Sequence, residues 1–125
     1  MKNKPTPLRF LAAAYKDYTA FPGEVQKKMG RALAEVQFGT KPTAAKPLTG
    51  LGSGVLEVRS DFDGDTFRAV YTVRLAGAVY VVHAFQKKSK SGIATPKHEI
   101  DLIRARLKQA EEHHAKHPPE PPPGA

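Results

Sequence analysis

Cysteine is absent from this 125-residue chain, which excludes disulfides, thiolate nucleophiles and cysteine-bound metal. No run of 18 apolar residues occurs, so no membrane span is expected. The first residues, MKNKPTPLRF, lack the apolar stretch of a secretory signal. A cytoplasmic protein is the expectation. A P-loop, GxGxxG, HExxH and GxSxG are missing as well, so no cofactor is expected and the common nucleotide, zinc-peptidase and serine-hydrolase signatures are excluded. Acidic residues are few beside basic ones, 12 against 20, for a net charge of +8. That balance favours polyanionic partners: nucleic acid, ribosomal RNA or an acidic protein. Its meaning depends on where the cations sit.

Hydrophobic residues make up 40% of the chain, enough for one small core, and the length suits one domain. A short strand, PLRFL, opens the chain. Leu11, Ala14, Tyr15, Tyr18 and Phe21 then fall at helical spacing. Pro22 is suited to open a second helix, whose apolar stripe is Val25, Met29, Ala32, Leu33 and Val36, and Gly39 to end it. Residues 40–54, rich in Pro, Gly and Thr, read as an ordered loop anchored by Leu48 and Leu51. Three strands follow, GVLEVRS, TFRAVYTVRL and AVYVVHAF, with turns at Asp63-Gly64 and Ala76-Gly77. Thr95-Pro96 introduces a last helix with Ile100, Ile103, Leu107 and Ala110 on one stripe. The order β-α-α-β-β-β-α gives an α+β fold: a small antiparallel sheet with a helical hairpin on one face and a C-terminal helix. Residues 1–112 form the single domain. Residues 113–125, ending HPPEPPPGA, are expected to be a tail without regular structure.

Two-residue turns set a register. Arg59 then opposes Arg68, Glu57 opposes Val70, Val70 opposes His83 and Arg68 opposes Phe85. Side chains alternate along each strand. One face collects Leu56, Val58, Phe67, Ala69, Tyr71, Val73, Leu75, Tyr80, Val82 and Ala84 as the core. The other collects Glu57, Arg59, Arg68, Thr72, Arg74, His83, Phe85 and Lys87. Two arginines face to face repel unless an anion lies between them, and either Glu57 or a bound phosphate supplies it.

Each of these residues has an ordinary reading and a functional one. Arg59, Arg68 and Lys87 are either a solvated sheet face or a phosphate cluster from three strands; arginine offers a fork for phosphate oxygens and lysine a compact charge. His83, inside an apolar strand, is a satisfied structural histidine or a general acid–base, with crowding arginines lowering its pKa. Phe85 is half-buried or stacks on a base. Lys87, Lys88 and Lys90 are a solvated strand end or contacts to a nucleic-acid backbone. The His113, His114 and His117 group has no carboxylate or cysteine partner and reads as an exposed helix end, so no metal is expected.

The series GVLEVRS, FRAVY and YVVHAFQKKSKSG, with TP and EI beyond it, resembles the HigB-type, phage-derived branch of the RelE/ParE toxin superfamily over residues 7–110. The resemblance implies a type II toxin that enters the ribosomal A site and cuts mRNA without metal, by attack of a 2′-hydroxyl on the adjacent phosphate. It also implies a cognate helix-turn-helix antitoxin of the HigA type. Under it, Arg59, Arg68, Lys87, Lys88 and His83 are the catalytic candidates, and Phe85, Lys90 and Arg74 contact RNA. The sequence departs from RelE in carrying Glu57 where RelE has lysine, and in lacking a tyrosine after the last strand. ParE relatives share the fold and act on gyrase by binding, so a non-catalytic inhibitor or a degenerate toxin is the alternative.

Overall fold

The computed structural model describes residues 4–88 and 95–119, with Lys88 described by its backbone alone. Its elements are β1 (Leu8–Phe10), α1 (Ala12–Thr19), α2 (Gly23–Gln37), β2 (Ala45–Pro47), β3 (Val55–Phe62), β4 (Asp65–Thr72), β5 (Val79–Lys88) and α3 (Lys97–Lys116). The α+β order is the expected one with a single addition. Within the loop read at 40–54, β2 pairs antiparallel with β3, Lys46 opposite Glu57. Three residues are too few for a periodic signal, and Pro47 is tolerated because β2 is an edge strand. The sheet runs β1-β5-β4-β3-β2, and β1 joins β5 in parallel.

Local chemistry explains the element ends. Pro22 stands just before α2, with Glu24 in the first turn favouring the positive helix terminus. At the other end Gly39 takes φ +87°. The Gly39 and Thr40 amides donate to the Val36 and Glu35 carbonyls at 2.9 Å each, a Schellman closure. Asp63 and Gly64 have φ of 52° and 83°, the paired positive values of a type I′ hairpin turn.

The hairpin of α1 and α2 packs Ala14, Phe21, Val25, Met29, Leu33 and Val36 on Val58, Phe67, Ala69, Tyr71, Val79, Val81 and Ala84. Tyr15, expected on that stripe, is exposed and sets its ring edge against Phe10. The second face is covered too. There α3 lays Ile103, Leu107 and Ala110 on Val55, Val70, Tyr80, Val82 and Phe85.

A bulge corrects the expected faces. Val70 faces His83 as expected, but Tyr71 faces Val81 and Thr72 faces Tyr80, leaving Val82 as the extra residue. Every β5 side chain before the bulge therefore changes face. Tyr80 and Val82, expected beside Ala69 and Tyr71, lie under α3, and Val79 and Val81 take their places. Val73 is 46% exposed because β4 ends at Thr72, and Leu75 packs on the α3 side. The boundary expected after residue 112 falls inside α3, which continues to Lys116. The Tyr80 hydroxyl meets His113 Nδ1 at 2.7 Å, and Arg9 donates to Tyr80 and to the His117 carbonyl at 2.8 and 2.6 Å. These contacts hold the last turns of the helix on the sheet edge.

Candidate functional site

The register brings Arg59 opposite Arg68, Arg68 opposite Phe85, Val70 opposite His83 and Lys87 opposite Thr66. Arg59, Arg68, His83, Phe85 and Lys87 thus share one sheet face, the face α3 crosses. The first turn of α3 lies at the polar end of that crossing, and its side chains divide the group into a buried part and an open part.

Arg68 belongs to the buried part, 1% exposed. Its Nη1 donates to Glu57 Oε1 at 3.1 Å and to the Thr95 hydroxyl at 3.2 Å, and Thr95 in turn donates to Glu57 Oε2 at 2.9 Å. Thr95 was expected to cap α3. Instead Pro96 occupies the cap position, no side chain caps the helix, and the Thr95 hydroxyl is spent on Glu57. Glu57 therefore supplies the anion that the two facing arginines require. It goes wholly to Arg68, and breaking such a pair leaves a buried charge uncompensated. Arg68 Nε has no hydrogen-bond partner among the described residues. Arg59 is partly exposed, with only a loose pair to Asp61 at 3.9 Å.

His83 is buried as well, 3% exposed. Arg106 Nη1 lies 2.8 Å from His83 Nδ1. A guanidinium only donates, so Nδ1 accepts and the ring proton sits on Nε2. Nε2 then donates to Glu99 Oε1 at 2.6 Å. The imidazole is neutral, and burial first, then Arg106, holds its pKa below the ordinary histidine value against the opposing pull of Glu99 and Asp17. Crowding arginines were expected to cause that lowering; desolvation is the larger cause. Phe85, expected either half-buried or stacking on a base, is 8% exposed and stacks on His83, ring centroids 5.1 Å apart.

Lys87 is half-buried at the open end of the face. Arg74 stands apart. Beyond the end of β4, it donates to the Leu51 carbonyl at 2.9 Å and pairs with Glu111 of α3 at 3.1 Å, which makes it a staple for the helix. The Lys88 side chain and Lys90 lie outside the described residues.

Two clefts flank the first turn of α3. One, about 370 Å³, runs between β2 and the helix and contains Lys46, Arg59 and Glu57. The other, about 360 Å³, lies between α1 and β5 and contains His83, Glu99 and Asp17. A larger groove of about 410 Å³ lies by the end of α2, on Val36, Tyr71 and Val73, away from this chemistry. Glu99, Arg106 and Lys46 were not singled out from sequence. Glu99 reads there as first-turn helix chemistry and Arg106 as a solvated helix face; Lys46 sits in what reads as loop. Their partners are far away in the chain. Among the described residues, no group of three or more His, Cys, Asp or Glu is placed to hold a metal ion, and no helix is long and apolar enough to cross a membrane.

The family described as phage-derived protein Gp49-like matches residues 16–108. The fold is similar to that of a double mutant of the Escherichia coli toxin RelE in the free state: TM-score 0.58 at 17% identity, over 85% of this chain and 98% of that one. A toxin–antitoxin complex from Mycobacterium tuberculosis, RelBE2, matches with a TM-score of 0.49 at 18% identity, over 67% of this chain and 100% of that one. No curated protein matches the sequence.

Proposed function

The chain belongs to the phage-derived Gp49-like family, and on that footing we propose that it is the toxin of a type II toxin–antitoxin system, cutting mRNA in the ribosomal A site. The observation that carries this reading is the shared face: Arg59, Arg68 and Lys87 from three adjacent strands, with His83 and Glu99 beside them. In the proposed reaction the 2′-hydroxyl oxygen bonds to the adjacent phosphorus and the bond to the 5′-oxygen breaks. A cyclic phosphate and a free 5′-hydroxyl result. One proton leaves the 2′-oxygen and one reaches the 5′-oxygen.

Arg59 and Lys87 meet the phosphate oxygens, with Lys88 next to Lys87 in the chain. Arg68 enters by exchanging one oxyanion, the Glu57 carboxylate, for another, the phosphate, as charge builds in the transition state. Glu99 takes the proton from the 2′-oxygen, Lys87 gives one to the leaving 5′-oxygen, and His83 orients Glu99 through the Nε2 bond, backed by Arg106. The partner in the resting cell is an antitoxin of the helix-turn-helix type, matched to the basic surface of a chain with net charge +8.

The second reading, a toxin that acts by binding a host enzyme such as gyrase, has its own support. Arg68 Nη1 and both His83 ring nitrogens are already engaged by protein partners. Inducible expression tests the two. Wild type is expected to arrest growth and give discrete cuts in translated mRNA by primer extension, and Arg59→Ala and Arg68→Ala to abolish the cuts. Growth arrest without cuts supports the binding reading, and unaffected growth counts against both.

A further inference from the structure

The cleft between β2 and α3 has features that the proposed cleavage at Arg59, Arg68 and Lys87 does not use. Its far wall is the edge strand: Lys46, Pro47 and Leu48. The pairing of Lys46 with Glu57 places the lysine on the face of Arg59, two residues along β3 from it. Lys46 is exposed, and among the described residues no hydrogen bond or ion pair engages its ammonium group. The near wall is Ile100 of α3, partly buried, and Thr95. Glu57 forms the floor, its charge already balanced by Arg68.

We infer that this cleft is a nucleotide subsite for single-stranded RNA, holding a residue next to the one that is cut. The inference rests on the mRNA-cleaving reading above. Three properties support it. The volume of about 370 Å³ falls in the range of roughly 300–1,000 Å³ typical of small-ligand pockets. Lys46 and Arg59 stand at the mouth as a pair of cations; in the resting structure Glu57 is paired with Arg68, and Asp61 holds Arg59 only loosely. A phosphate there is bridged between β2 and β3. Behind the cations, Leu48 and Pro47 line the gap with Ile100, apolar walls between which an extruded base can be held. At its end lie the Thr95 hydroxyl and the Glu57 carboxylate, acceptors for a base that presents an N–H. Lys46 fixes the backbone, the apolar walls take the ring, and Glu57 and Thr95 favour a base with an amino or imino hydrogen.

The test is direct binding of a fluorescein-labelled tri-ribonucleotide to the purified full chain, followed across a salt series. For single strands each neutralised phosphate contributes about 0.7 to the logarithmic salt slope. Lys46→Ala is expected to lower affinity about fivefold to tenfold and the slope by about 0.7, while Lys46→Arg restores both. Leu48→Ala is expected to lower affinity with the slope unchanged. Lys28→Ala, a cation on the exposed side of α2, is expected to change neither. Wild type that does not bind the trinucleotide, or Lys46→Ala with unchanged affinity and slope, overturns the subsite. Ribosome-programmed cleavage, run in parallel, separates this from the parent reading. Loss of cutting in Arg68→Ala, with Lys46→Ala cutting the same positions at the same rate, removes the subsite and leaves the nuclease. Absence of cutting by wild type, with trinucleotide binding that still depends on Lys46, removes the nuclease and leaves the subsite.

Discussion

Helices α1 and α2 cover one face of the sheet with apolar side chains, whereas α3 covers the other with a mixture. Ile103, Leu107 and Ala110 of α3 pack on Val70, Tyr80 and Val82. Thr95 just before the helix, Glu99 in its first turn and Arg106 at its middle make the Thr95–Glu57–Arg68 and Glu99–His83–Arg106 contacts. The hairpin face holds the fold by burial, a non-directional force that tolerates many shapes. The polar junction holds it by bonds of defined direction between groups that are costly to bury. The clefts that hold Lys46 and Arg59, and His83 and Glu99, open beside that junction. The pattern is an apolar half held by burial beside a polar half held by directed bonds.

The comparison breaks most sharply at Glu57. Glu57→Ala leaves Arg68 buried without a counter-ion and is expected to cost about 3–5 kcal/mol, read as a drop in the urea midpoint with unchanged slope. Replacing both partners, Glu57→Leu with Arg68→Met, is expected to recover most of that stability and none of the cleavage. On the hairpin face Leu33→Ala, at a site 1% exposed, is expected to cost about 2–5 kcal/mol through the cavity it leaves. It should leave the cutting pattern of the folded protein unchanged, which separates support from chemistry.

A smaller effect concerns pH. The folded protein holds His83 neutral with a lowered pKa, so it binds fewer protons than the unfolded chain as pH falls below about 6.5. Stability is therefore full above that value and declines as pH drops through it toward the lowered native pKa. His113 adds a slope of the same sign, through burial and then His117, Arg9 and His114. The urea midpoint is expected to fall between pH 7.5 and 5.5, and to fall less in His83→Gln. A midpoint that rises over that interval contradicts the neutral His83 drawn from its two partners. The smallest effect belongs to Arg74→Ala. Its partly exposed pair with Glu111 is expected to contribute under about 1 kcal/mol, and RNA binding should be unchanged, unlike the role the sequence reading gave it.

Much of this was legible in the residues. Strand alternation, the Asp63-Gly64 turn, and the stripes of α2 and α3 depend on local spacing and local turn chemistry. From them came the α+β fold and the pairing of Arg59 with Arg68, Val70 with His83 and Arg68 with Phe85. The failures lie where local signals end. A bulge at Val82 adds one residue with no mark in the sequence, and it moved Tyr80 and Val82 to the other face. Phe85 alternates with the polar residues, so spacing placed it correctly on the face, yet α3 buries that face.

The chain by itself settled that Glu57, Arg59, Arg68, His83, Phe85 and Lys87 share a sheet face, because a strand period of two and a short turn propagate register as far as the bulge. It could not settle which of them remain open to a ligand. Thr95 reaches Glu57 across 38 residues and Arg106 reaches His83 across 23. Only the docking of α3, driven by apolar matching at its far end, puts Arg68 and His83 under cover. The same docking leaves Arg59 and Lys46 at the mouth of a cleft.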